Sequence, residues 1–496
     1  MNHNHLFDGL LGGRENDPRT LFEIPGGKTW TCAELIALSG QFANLLRDRG
    51  LEPGDRIAVQ VTKSVEAIAL YLAAVRAGAV FLPLNTAYTR NEVGYFLEDA
   101  EPAIFVCGDD RAADYADIDA QVFTLEGDGG GSLAEAAQSI PAEFVNAARG
   151  AGDLAAILYT SGTTGLSKGA MLSHDNLLSN AVTLVDYWQF GADDVLLHAL
   201  PIFHTHGLFV ATNVMFIAGA SMIFLARFDL DTILAQLPKS TSLMGVPTFY
   251  TRLLADPRFD RGLVEHMRLF VSGSAPLLAE THERFEARTG HRILERYGMT
   301  ETNMNASNPY AGERRAGTVG FPLPGVEIRI TEPESAVELA AGETGMVEVR
   351  GPNVFLGYWR KPEKTALELR ADGFFISGDL GRFDEDGYLQ IVGREKDLII
   401  SGGYNVYPKQ IETEIDALDG VAESAVFGIP DPDMGEAVAA AVVIGPGADW
   451  TEAGLIEALK PALARFKLPR QVFFVDELPR NAMGKVQKNV LRENLG

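Results

Sequence analysis

The sequence predicts an α/β fold with a large N-terminal domain and a small, mobile α+β C-terminal domain. The large domain is expected to contain parallel-rich sheets flanked by helices, plus a β-rich subdomain. Strand–helix–strand units occur early in the chain, short β-rich segments begin near Val326, and a charged link follows Gly393. The chain has 496 residues, which is too long for a single core. Its 46% hydrophobic and 22% charged content is typical of a globular protein.

The clearest strand–helix–strand unit lies within the first 150 residues. A turn at Pro53-Gly54-Asp55 precedes an apolar run over 56–61, and residues 64–77 then show helical spacing of apolar positions. Gly78 ends that helix before a second apolar run over 80–84. Parallel strands need such a crossover helix, so the pattern predicts a parallel sheet covered by helices. The same pattern predicts further strands at 195–200, 221–225, 242–246 and 269–271.

The pattern changes twice in the second half of the chain. From about Val326 short β-rich segments occur, for example at 345–351 and 388–392. After the charged residues 394–397 we predict helices at 408–418 and 452–465 and strands at 425–429 and 438–444. We therefore place a domain boundary at about 394, with an N-terminal domain over 1–393 and a C-terminal domain over 394–496.

Composition excludes several classes of protein. A formal net charge of −25 opposes binding to nucleic acids and anionic membranes. The most apolar run, 207–225, is interrupted by Gly, Thr, Asn and Ser, so we interpret it as a packed helix and strand, with no membrane span. The N-terminal residues do not resemble a signal peptide, and the two cysteines, Cys32 and Cys107, lack metal-ligand neighbours. A cytoplasmic location is the expectation.

A loop rich in glycine and hydroxyl residues follows the apolar strand predicted at 154–158. Over 159–169 its sequence is Tyr-Thr-Ser-Gly-Thr-Thr-Gly-Leu-Ser-Lys-Gly, with Lys168 as its cation. Glycines allow close approach of the backbone to an anion, and hydroxyls donate hydrogen bonds to it. Because Gly169 follows the lysine, the loop departs from the Walker pattern of P-loop NTPases. The pattern predicts a phosphate-binding loop, although loops of this composition also occur on protein surfaces.

This loop resembles the phosphate-binding motif of the adenylate-forming superfamily, which includes acyl-CoA synthetases, luciferase-like enzymes and peptide-synthetase adenylation domains. Three further segments resemble the other motifs of that superfamily in the same order: 297–301, 377–379 with 393–394, and 479–485. The likeness covers nearly the whole chain. It implies an ATP-dependent acid–thiol ligase that uses Mg²⁺, with ATP and CoA as co-substrates.

The resemblance implies a set of ATP-binding residues. They are Thr160, Ser161, Gly162, Thr163, Thr164, Gly165, Lys168, Ser274, Ala275, Pro276, Glu295, Arg296, Tyr297, Gly298, Met299, Thr300, Asp379 and Arg394. Thr300 and Glu301 are also expected to take part in catalysis, and Thr160 and Glu301 to hold Mg²⁺, which favours a carboxylate together with phosphate oxygens. Tyr297 can stack on a purine and Asp379 can accept hydrogen bonds from ribose hydroxyls. Without the resemblance, we would interpret Tyr297 as an ordinary buried tyrosine and Asp379 as a turn aspartate.

The acid end of the expected site indicates the substrate. His204 and His206 follow a predicted strand, and the resemblance implies that His204 gates the carboxylate site. Arg252 lies on a helix after 242–246, and the resemblance to malonyl-CoA and methylmalonyl-CoA synthetases implies that it pairs with the distal carboxylate of the acid. A guanidinium can hold a carboxylate by two parallel hydrogen bonds. We therefore predict a malonate:CoA ligase that also accepts methylmalonate.

Other residues are assigned to the substrate pocket and to the second half-reaction. Ser274, Thr205 and Met304 are expected beside the acid, and the last two would set tolerance for a methyl group. Lys485 would stabilise the charge that develops as the adenylate forms, and a lysine acyltransferase acting on it is a possible regulator. The C-terminal domain would then rotate about a hinge at Lys396, so that Gly402 and Gly403 line the CoA tunnel. We interpret Lys488 as a solvated tail lysine.

Alternative functions share most of these motifs. A ligase for another small carboxylic acid, a carrier-protein-loading adenylation enzyme and a luciferase-like oxygenase would all form an adenylate. A non-catalytic nucleotide-binding regulator would not need the lysine motif at 479–485.

Overall fold

The computed structural model describes residues 3–160, 167–332, 335–401, 404–431, 435–463, 465–481 and 484–496. Within these ranges, none of the helices has the length and apolar character needed to cross a membrane. The strands are β1 Thr20–Glu23, β2 Thr29–Thr31, β3 Arg56–Gln60, β4 Val80–Pro83, β5 Ile104–Cys107, β6 Gln121–Thr124, β7 Leu154–Thr160, β8 Lys168–Ser173, β9 Val195–His198, β10 Ser221–Phe224, β11 Ser242–Gly245, β12 Leu269–Ser272, β13 Leu294–Met299, β14 Asn303–Ser307, β15 Phe321–Pro322, β16 Glu327–Thr331, β17 Gly345–Arg350, β18 Gly357–Tyr358, β19 Phe375–Phe383, β20 Leu389–Arg394, β21 Ile399–Ser401, β22 Tyr404–Val406, β23 Val421–Asp431, β24 Gly435–Ile444 and β25 Gln471–Phe474.

Helices cover the faces of the sheets that these strands form. They are α1 His5–Leu11, α2 Cys32–Asp48, α3 Val65–Ala77, α4 Arg90–Ala100, α5 Asp109–Ala112, α6 Ser132–Ala137, α7 His174–Tyr187, α8 Asn213–Ala218, α9 Leu230–Gln236, α10 Pro247–Ala255, α11 Arg261–Val264, α12 Ala279–Thr289, α13 Pro362–Glu368, α14 Pro408–Asp416, α15 Glu452–Leu459 and α16 Lys488–Leu495. A π-helical turn, His206–Thr212, leads into α8.

Two large sheets with parallel centres form most of the N-terminal part. One has the strand order β15-β14-β13-β12-β11-β9-β10-β1-β2, and its neighbours from β13 to β1 are parallel. The other has the order β18-β8-β7-β4-β3-β5-β6, with parallel pairing from β7 to β6. A third sheet, β16-β17-β19-β20, is antiparallel. The predicted fold class, with its β-rich subdomain, is confirmed.

Local sequence explains where the crossover helix α3 begins and ends. The Ser64 side chain accepts a hydrogen bond from the Ala67 N–H and caps the first turn. Gly78 adopts φ 75° at the other end, where a left-handed residue satisfies the last carbonyls. The helix α3 is buried along nearly its whole length, and its sequence is accordingly apolar except for Glu66 and Arg76.

The C-terminal strands form a separate small sheet. Its order is β22-β21-β24-β23, and β25 pairs in parallel with β24. Ile399, Ile411, Val426 and Leu455 contribute to a core of their own beside this sheet. The division at about 394 stays a prediction; β20 ends at Arg394.

One predicted helix in this part is too long. We expected it to span 452–465, but α15 ends at Leu459. Pro461 explains the early end, since proline disfavours helical geometry at the residue before it.

Candidate active site

A cleft lies where the C-terminal part meets the large domain. Its cavity has a volume of about 360 Å³. His204, His206 and Arg252 line it from the large domain, while Arg480 and Gly484 line it from the C-terminal part. The carboxyl ends of β9, β11 and β12 lead to this region, which is the usual position of ligand sites in open α/β sheets.

The expected ribose-binding pair forms at the junction of the two parts. Asp379 and Arg394 lie opposite each other on β19 and β20, and Arg394 Nε is 2.8 Å from Asp379 Oδ1. The Tyr297 hydroxyl donates to Asp379 Oδ2 at 2.6 Å. Burial, and then the Asp379 charge, raises the pKa of Tyr297, so the phenol remains protonated. The structure therefore brings together three of the predicted nucleotide-binding residues.

A second group of predicted residues lies at the two ends of the phosphate-binding loop. Thr160 ends β7 and lies 3.4 Å from Glu301 Oε1 through its hydroxyl. Lys168 begins β8, and its ammonium contacts Glu368 Oε1 at 3.3 Å and lies 4.2 Å from the centre of the Tyr358 ring. Burial raises the pKa of Glu301, whereas Tyr358, Arg394 and Lys168 lower it. The predicted residues Ser161, Gly162, Thr163, Thr164 and Gly165 lie outside the described residues.

The acid end is built around a histidine-rich turn after β9. His206 is buried, and its Nδ1 is 3.2 Å from Ser274 Oγ. Ser274 adopts φ 70°, an uncommon conformation for a residue with a side chain. Burial, followed by the charge of Lys485, lowers the pKa of His204 to about 3. Among the described residues, His204 Nε2, Thr205 Oγ1 and His206 Nε2 lack hydrogen-bond partners.

Arg296 lies behind this turn and is only 3% exposed. A Cβ at Gly273 would be 2.4 Å from Arg296 Cζ, so the guanidinium packs directly on the backbone next to Ser274. Its Nε and Nη2 have no hydrogen-bond partner in the described part of the chain. Burial lowers the pKa of Arg296 to about 9, and its charge in turn contributes to lowering the pKa of His206. Arg296 is therefore a buried cation behind the cavity lining, and its charge reaches His206.

Arg252, unlike Arg296, is exposed to solvent. It lies in α10, lines the cavity and is exposed, and its guanidinium is 5.7 Å from the centre of the Phe228 ring. From the sequence we predicted that Arg252 binds the acid substrate and that Arg296 binds ATP. The burial of Arg296 was not visible in a motif, because it depends on Gly273, a residue of the neighbouring strand end.

The remaining predicted residues surround these groups. Glu295 is buried, accepts a hydrogen bond from Leu277 N–H at 3.1 Å, and has its pKa raised to about 8 by burial. Gly298 and Met304 pair across β13 and β14, and Met304 is 2% exposed. Ala275, Met299 and Thr300 are half-buried and Pro276 is exposed.

A hairpin positions Lys485 in the cleft. Arg480 and Val486 form a β-bridge, and the Lys485 N–H donates to Asn481 Oδ1 at 3.0 Å. Desolvation, and then the charge of Arg394, lowers the pKa of Lys485, whereas Asp379 and Glu301 oppose that shift. The ammonium thus lies within electrostatic reach of both carboxylates, although Lys485 is an exposed residue. Lys396 lies in the turn Glu395–Asp397 between β20 and β21, while Gly402 and Gly403 are outside the described residues.

The structure also shows functional candidates that the sequence did not indicate. Lys63 is buried and its ammonium lies 2.9 Å from each of three acceptors: His198 Nδ1, His198 O and Leu200 O. Glu368 contacts Lys168, as described above. Neither residue lies in a recognisable motif.

The interpretation of Lys488 as a solvated tail residue is wrong. Lys488 begins α16, and its ammonium contacts Glu412 Oε1 of α14 at 2.5 Å. Glu412 is 6% exposed, so an unpaired carboxylate there would be costly. Lys488 therefore attaches the last helix to the C-terminal core.

The tyrosine–aspartate–arginine cluster, the lysine at the start of a strand and the second lysine from the small C-terminal part are the features expected of an AMP-binding enzyme. The chain belongs to the AMP-binding enzyme family, whose model matches residues 13–359. The model of the AMP-binding enzyme C-terminal domain matches residues 410–485. The predicted superfamily is confirmed.

Relatives within this family are similar along nearly the whole chain. ATP-bound MatB from Rhodopseudomonas palustris is 60% identical, with a TM-score of 0.97 and 99% of each chain covered. A malonate–CoA ligase of Arabidopsis thaliana is 35% identical over 493 residues, covering 92% of this chain and 80% of that protein. A feruloyl-CoA synthase of an Amycolatopsis species is 35% identical over 477 residues, covering 95% of each.

Proposed function

We propose that this chain is an AMP-forming malonate:CoA ligase that makes malonyl-adenylate from ATP and then malonyl-CoA. The names of its relatives support ATP, CoA and a small acid as substrates, and one of them is a malonate–CoA ligase. Relatives of equal identity act on other acids, so the choice of malonate depends on the site. Two cations favour malonate: Arg252, which lines the cavity, and Arg296, which is buried behind it.

A dicarboxylate satisfies the acid end better than a monocarboxylate does. Two nitrogens of Arg296, Nε and Nη2, have no hydrogen-bond partner among the described residues, and the side chain is almost fully buried. Leaving such a cation unpaired costs several kcal/mol, and a carboxylate can accept two parallel hydrogen bonds from it. The distal carboxylate of malonate would supply these acceptors, with Arg252 at the mouth of the cavity adding a second cation. An aryl or alkyl acid would leave Arg296 unpaired.

The nucleotide would occupy the junction between the two parts of the chain. Asp379 and Arg394 would bind the ribose, Tyr297 would contact the purine, and Lys168 would contact the polyphosphate. The oxygens of Glu301 and Thr160 lie 3.4 Å apart and suit Mg²⁺, which prefers a carboxylate, hydroxyl or water ligands and phosphate oxygens. When bound, Mg²⁺ would neutralise charge on the leaving pyrophosphate. Lys485 would stabilise the charge that develops at the acid and the α-phosphate.

His204 fits a role that needs a neutral imidazole. With a pKa of about 3, it does not add a positive charge beside Lys485 at neutral pH. Its Nε2 has no partner in the described part of the chain, so it can donate to or accept from the reacting carboxylate. His206, Ser274, Thr205 and Met304 complete the proposed acid pocket.

The second half-reaction requires the C-terminal part to move. We assign its rotation to the hinge at Lys396, the CoA tunnel to Gly402 and Gly403, and the boundary to about 394. Acceptance of methylmalonate, a cytoplasmic location and control by acylation of Lys485 belong to the same proposal. Acylation would remove the ammonium charge that the first half-reaction needs.

The test is the release of AMP and pyrophosphate from ATP with malonate and free CoA. Malonate should give the highest kcat/KM, with methylmalonate within roughly 10–200-fold, the range for one methyl group. Higher activity with ferulate, octanoate or acetate would contradict the assignment. Transfer to a carrier protein but not to free CoA would favour a carrier-loading enzyme instead.

A further inference from the structure

Glu368, the last residue of α13, lies at the phosphate end of the site and has no role in the function described so far. Its Oε1 is 3.3 Å from the ammonium of Lys168 and 2.7 Å from that of Lys364. Its Oε2 accepts a hydrogen bond from the Tyr358 hydroxyl at 2.6 Å. Lys364 and Tyr358 thus hold the Glu368 carboxylate against Lys168, the lysine of the phosphate-binding loop.

Backbone pairing makes this arrangement a built part of the site. Tyr358 in β18 pairs with Ala170 in β8, the strand that begins at Lys168. The Tyr358 N–H donates to Thr365 Oγ1 at 2.9 Å, which attaches β18 to α13. The Lys168 and Glu368 side chains are 12% and 21% exposed, so water screens their attraction only in part. Both charges are therefore fixed relative to the strand that carries Lys168.

The Tyr358 hydroxyl connects Glu368 to the proposed metal-binding carboxylate. It lies 3.1 Å from Glu301 Oε1 as well as 2.6 Å from Glu368 Oε2, yet it has one proton to donate. Glu368 has the shorter contact, and although burial raises its pKa, the contacts with Lys364, Tyr358 and Lys168 together lower the pKa below its usual value. Glu368 is therefore the ionised acceptor, and it places a negative charge where phosphate oxygens would otherwise contact Lys168.

We propose that Glu368 is an internal counter-ion that competes with the polyphosphate of ATP, and with pyrophosphate, for Lys168. The proposal rests on the function proposed above. On binding, the phosphates displace Glu368 from Lys168, while Lys364 keeps the displaced carboxylate paired. After the adenylate forms, Glu368 returns to Lys168 and lowers the affinity of the site for the departing pyrophosphate. The residue weakens substrate binding in order to speed product release.

This competition acts on the β- and γ-phosphates and not on the α-phosphate. Glu368→Gln keeps the shape of the side chain but removes its charge. The variant should bind ATP and pyrophosphate about threefold to fivefold more tightly, the upper part of the range for one partly screened charge pair. AMP, which has only the α-phosphate, should bind within about twofold of wild type. Pyrophosphate should also inhibit the variant at correspondingly lower concentrations.

Three further variants distinguish the effect of the Glu368–Lys168 contact from the effect of a change in net charge. Glu363→Gln removes the same charge from an exposed position in the same helix and should leave all three affinities unchanged. Glu368→Asp keeps the charge but withdraws it from Lys168, so it should also tighten ATP and pyrophosphate binding. In a Lys168→Met background, Glu368→Gln should have no further effect on either ligand.

The experiment is calorimetric titration of the full chain with ATP, pyrophosphate and AMP in the presence of Mg²⁺. Thermal unfolding verifies that each variant is folded, and Glu368→Asp replaces Glu368→Gln if the latter is not. Unchanged or weaker pyrophosphate binding in the folded variant would overturn the proposal, and weaker binding would instead make Glu368 part of the metal site. A wild-type chain that binds neither ATP nor pyrophosphate would overturn the proposed function as well.

Discussion

At the scale of single residues, burial separates two arginines that look alike in the sequence. Arg296 packs on Gly273 and is 3% exposed, whereas Arg252 is exposed at the mouth of the cavity. A carboxylate is bound more strongly by a buried arginine than by an exposed one. Water hydrogen-bonds to the exposed guanidinium when the carboxylate is absent, whereas the buried guanidinium would be left unpaired. Arg296 should therefore dominate recognition of the distal carboxylate.

Replacing Arg296 should change acid specificity more than nucleotide binding. Arg296→Gln should lower kcat/KM for malonate by at least about a hundredfold, the scale for removing one partner of a buried charge pair, roughly 3–5 kcal/mol. Arg296→Lys should not restore activity, since an ammonium cannot form the paired hydrogen bonds. Steady-state kinetics with malonate, propionate and ATP measure these effects. Arg292→Gln, at an exposed position on the same segment, is the control. Equal losses for propionate and malonate would contradict the assignment.

His204 gives a pH-dependent prediction. Its pKa is about 3 in the folded chain and about 6.5 when unfolded, so folding favours the neutral form. This contribution to stability is complete above pH 6.5 and is lost as the pH falls from 6.5 towards 3, by at most about 1.4 kcal/mol per pH unit. His204→Gln should therefore lose less stability than wild type between pH 7 and pH 5. Denaturant unfolding at several pH values measures the difference. Parallel curves for the two proteins would show that His204 titrates normally.

At the scale of secondary-structure elements, Lys63 connects the two large sheets. It follows β3 of one sheet and donates to the end of β9 in the other. His198 Nε2 in turn contacts the carbonyl of Gly207 at 2.9 Å, at the start of the π-helical turn. The loop between these two contacts contains His204, Thr205 and His206, so Lys63 positions the acid end without touching it.

Removing Lys63 should loosen this loop. Lys63→Ala leaves two carbonyls and an imidazole nitrogen without their donor, which costs about 1–3 kcal/mol for each buried group left unpaired. We expect a lower melting temperature together with a raised KM for malonate, while the KM for ATP changes little. Lys28→Ala, at an exposed position, is the control for both measurements. Equal changes in the two KM values would indicate a purely structural role.

The sequence predicted the elements whose patterns are local. The strand–helix–strand unit from β3 to β4 follows from apolar periodicity, a capping serine and Gly78, all within about 30 residues. The motif residues Tyr297, Asp379 and Arg394 were likewise predicted, and the structure brings them together.

Contacts between distant residues were not predictable in this way. Lys63 and His198 are 135 positions apart, and Lys168 and Glu368 are 200 apart. Lys488 was misinterpreted for the same reason, because its partner Glu412 lies 76 positions earlier. In each case a charged residue with no local pattern finds its partner only when the sheets are assembled. Such residues look like solvated surface charges in a sequence.

At the scale of the whole molecule, Lys485 links the two parts of the chain electrostatically. Lys485 belongs to the C-terminal hairpin, yet its pKa responds to Arg394, Asp379 and Glu301 of the large domain. A rotation of the C-terminal part about Lys396 would withdraw it from the cleft. Lys485 should therefore act in adenylate formation and be dispensable for transfer to CoA.

Two variants should separate the half-reactions. Lys485→Ala should reduce pyrophosphate release from ATP and malonate by at least about a hundredfold, as expected when an electrostatic donor to the reacting centre is lost. It should still convert supplied malonyl-adenylate and CoA to the thioester, because the step in which charge develops at the acid and the α-phosphate is already complete. Lys396→Pro, which stiffens the hinge, should show the opposite pattern, and Lys460→Ala, at an exposed position, should affect neither step. Rapid-quench measurement of pyrophosphate and thioester records the two steps separately. If Lys485→Ala lost both steps equally, the lysine would be needed throughout the reaction, and the rotation would have to keep it in the site.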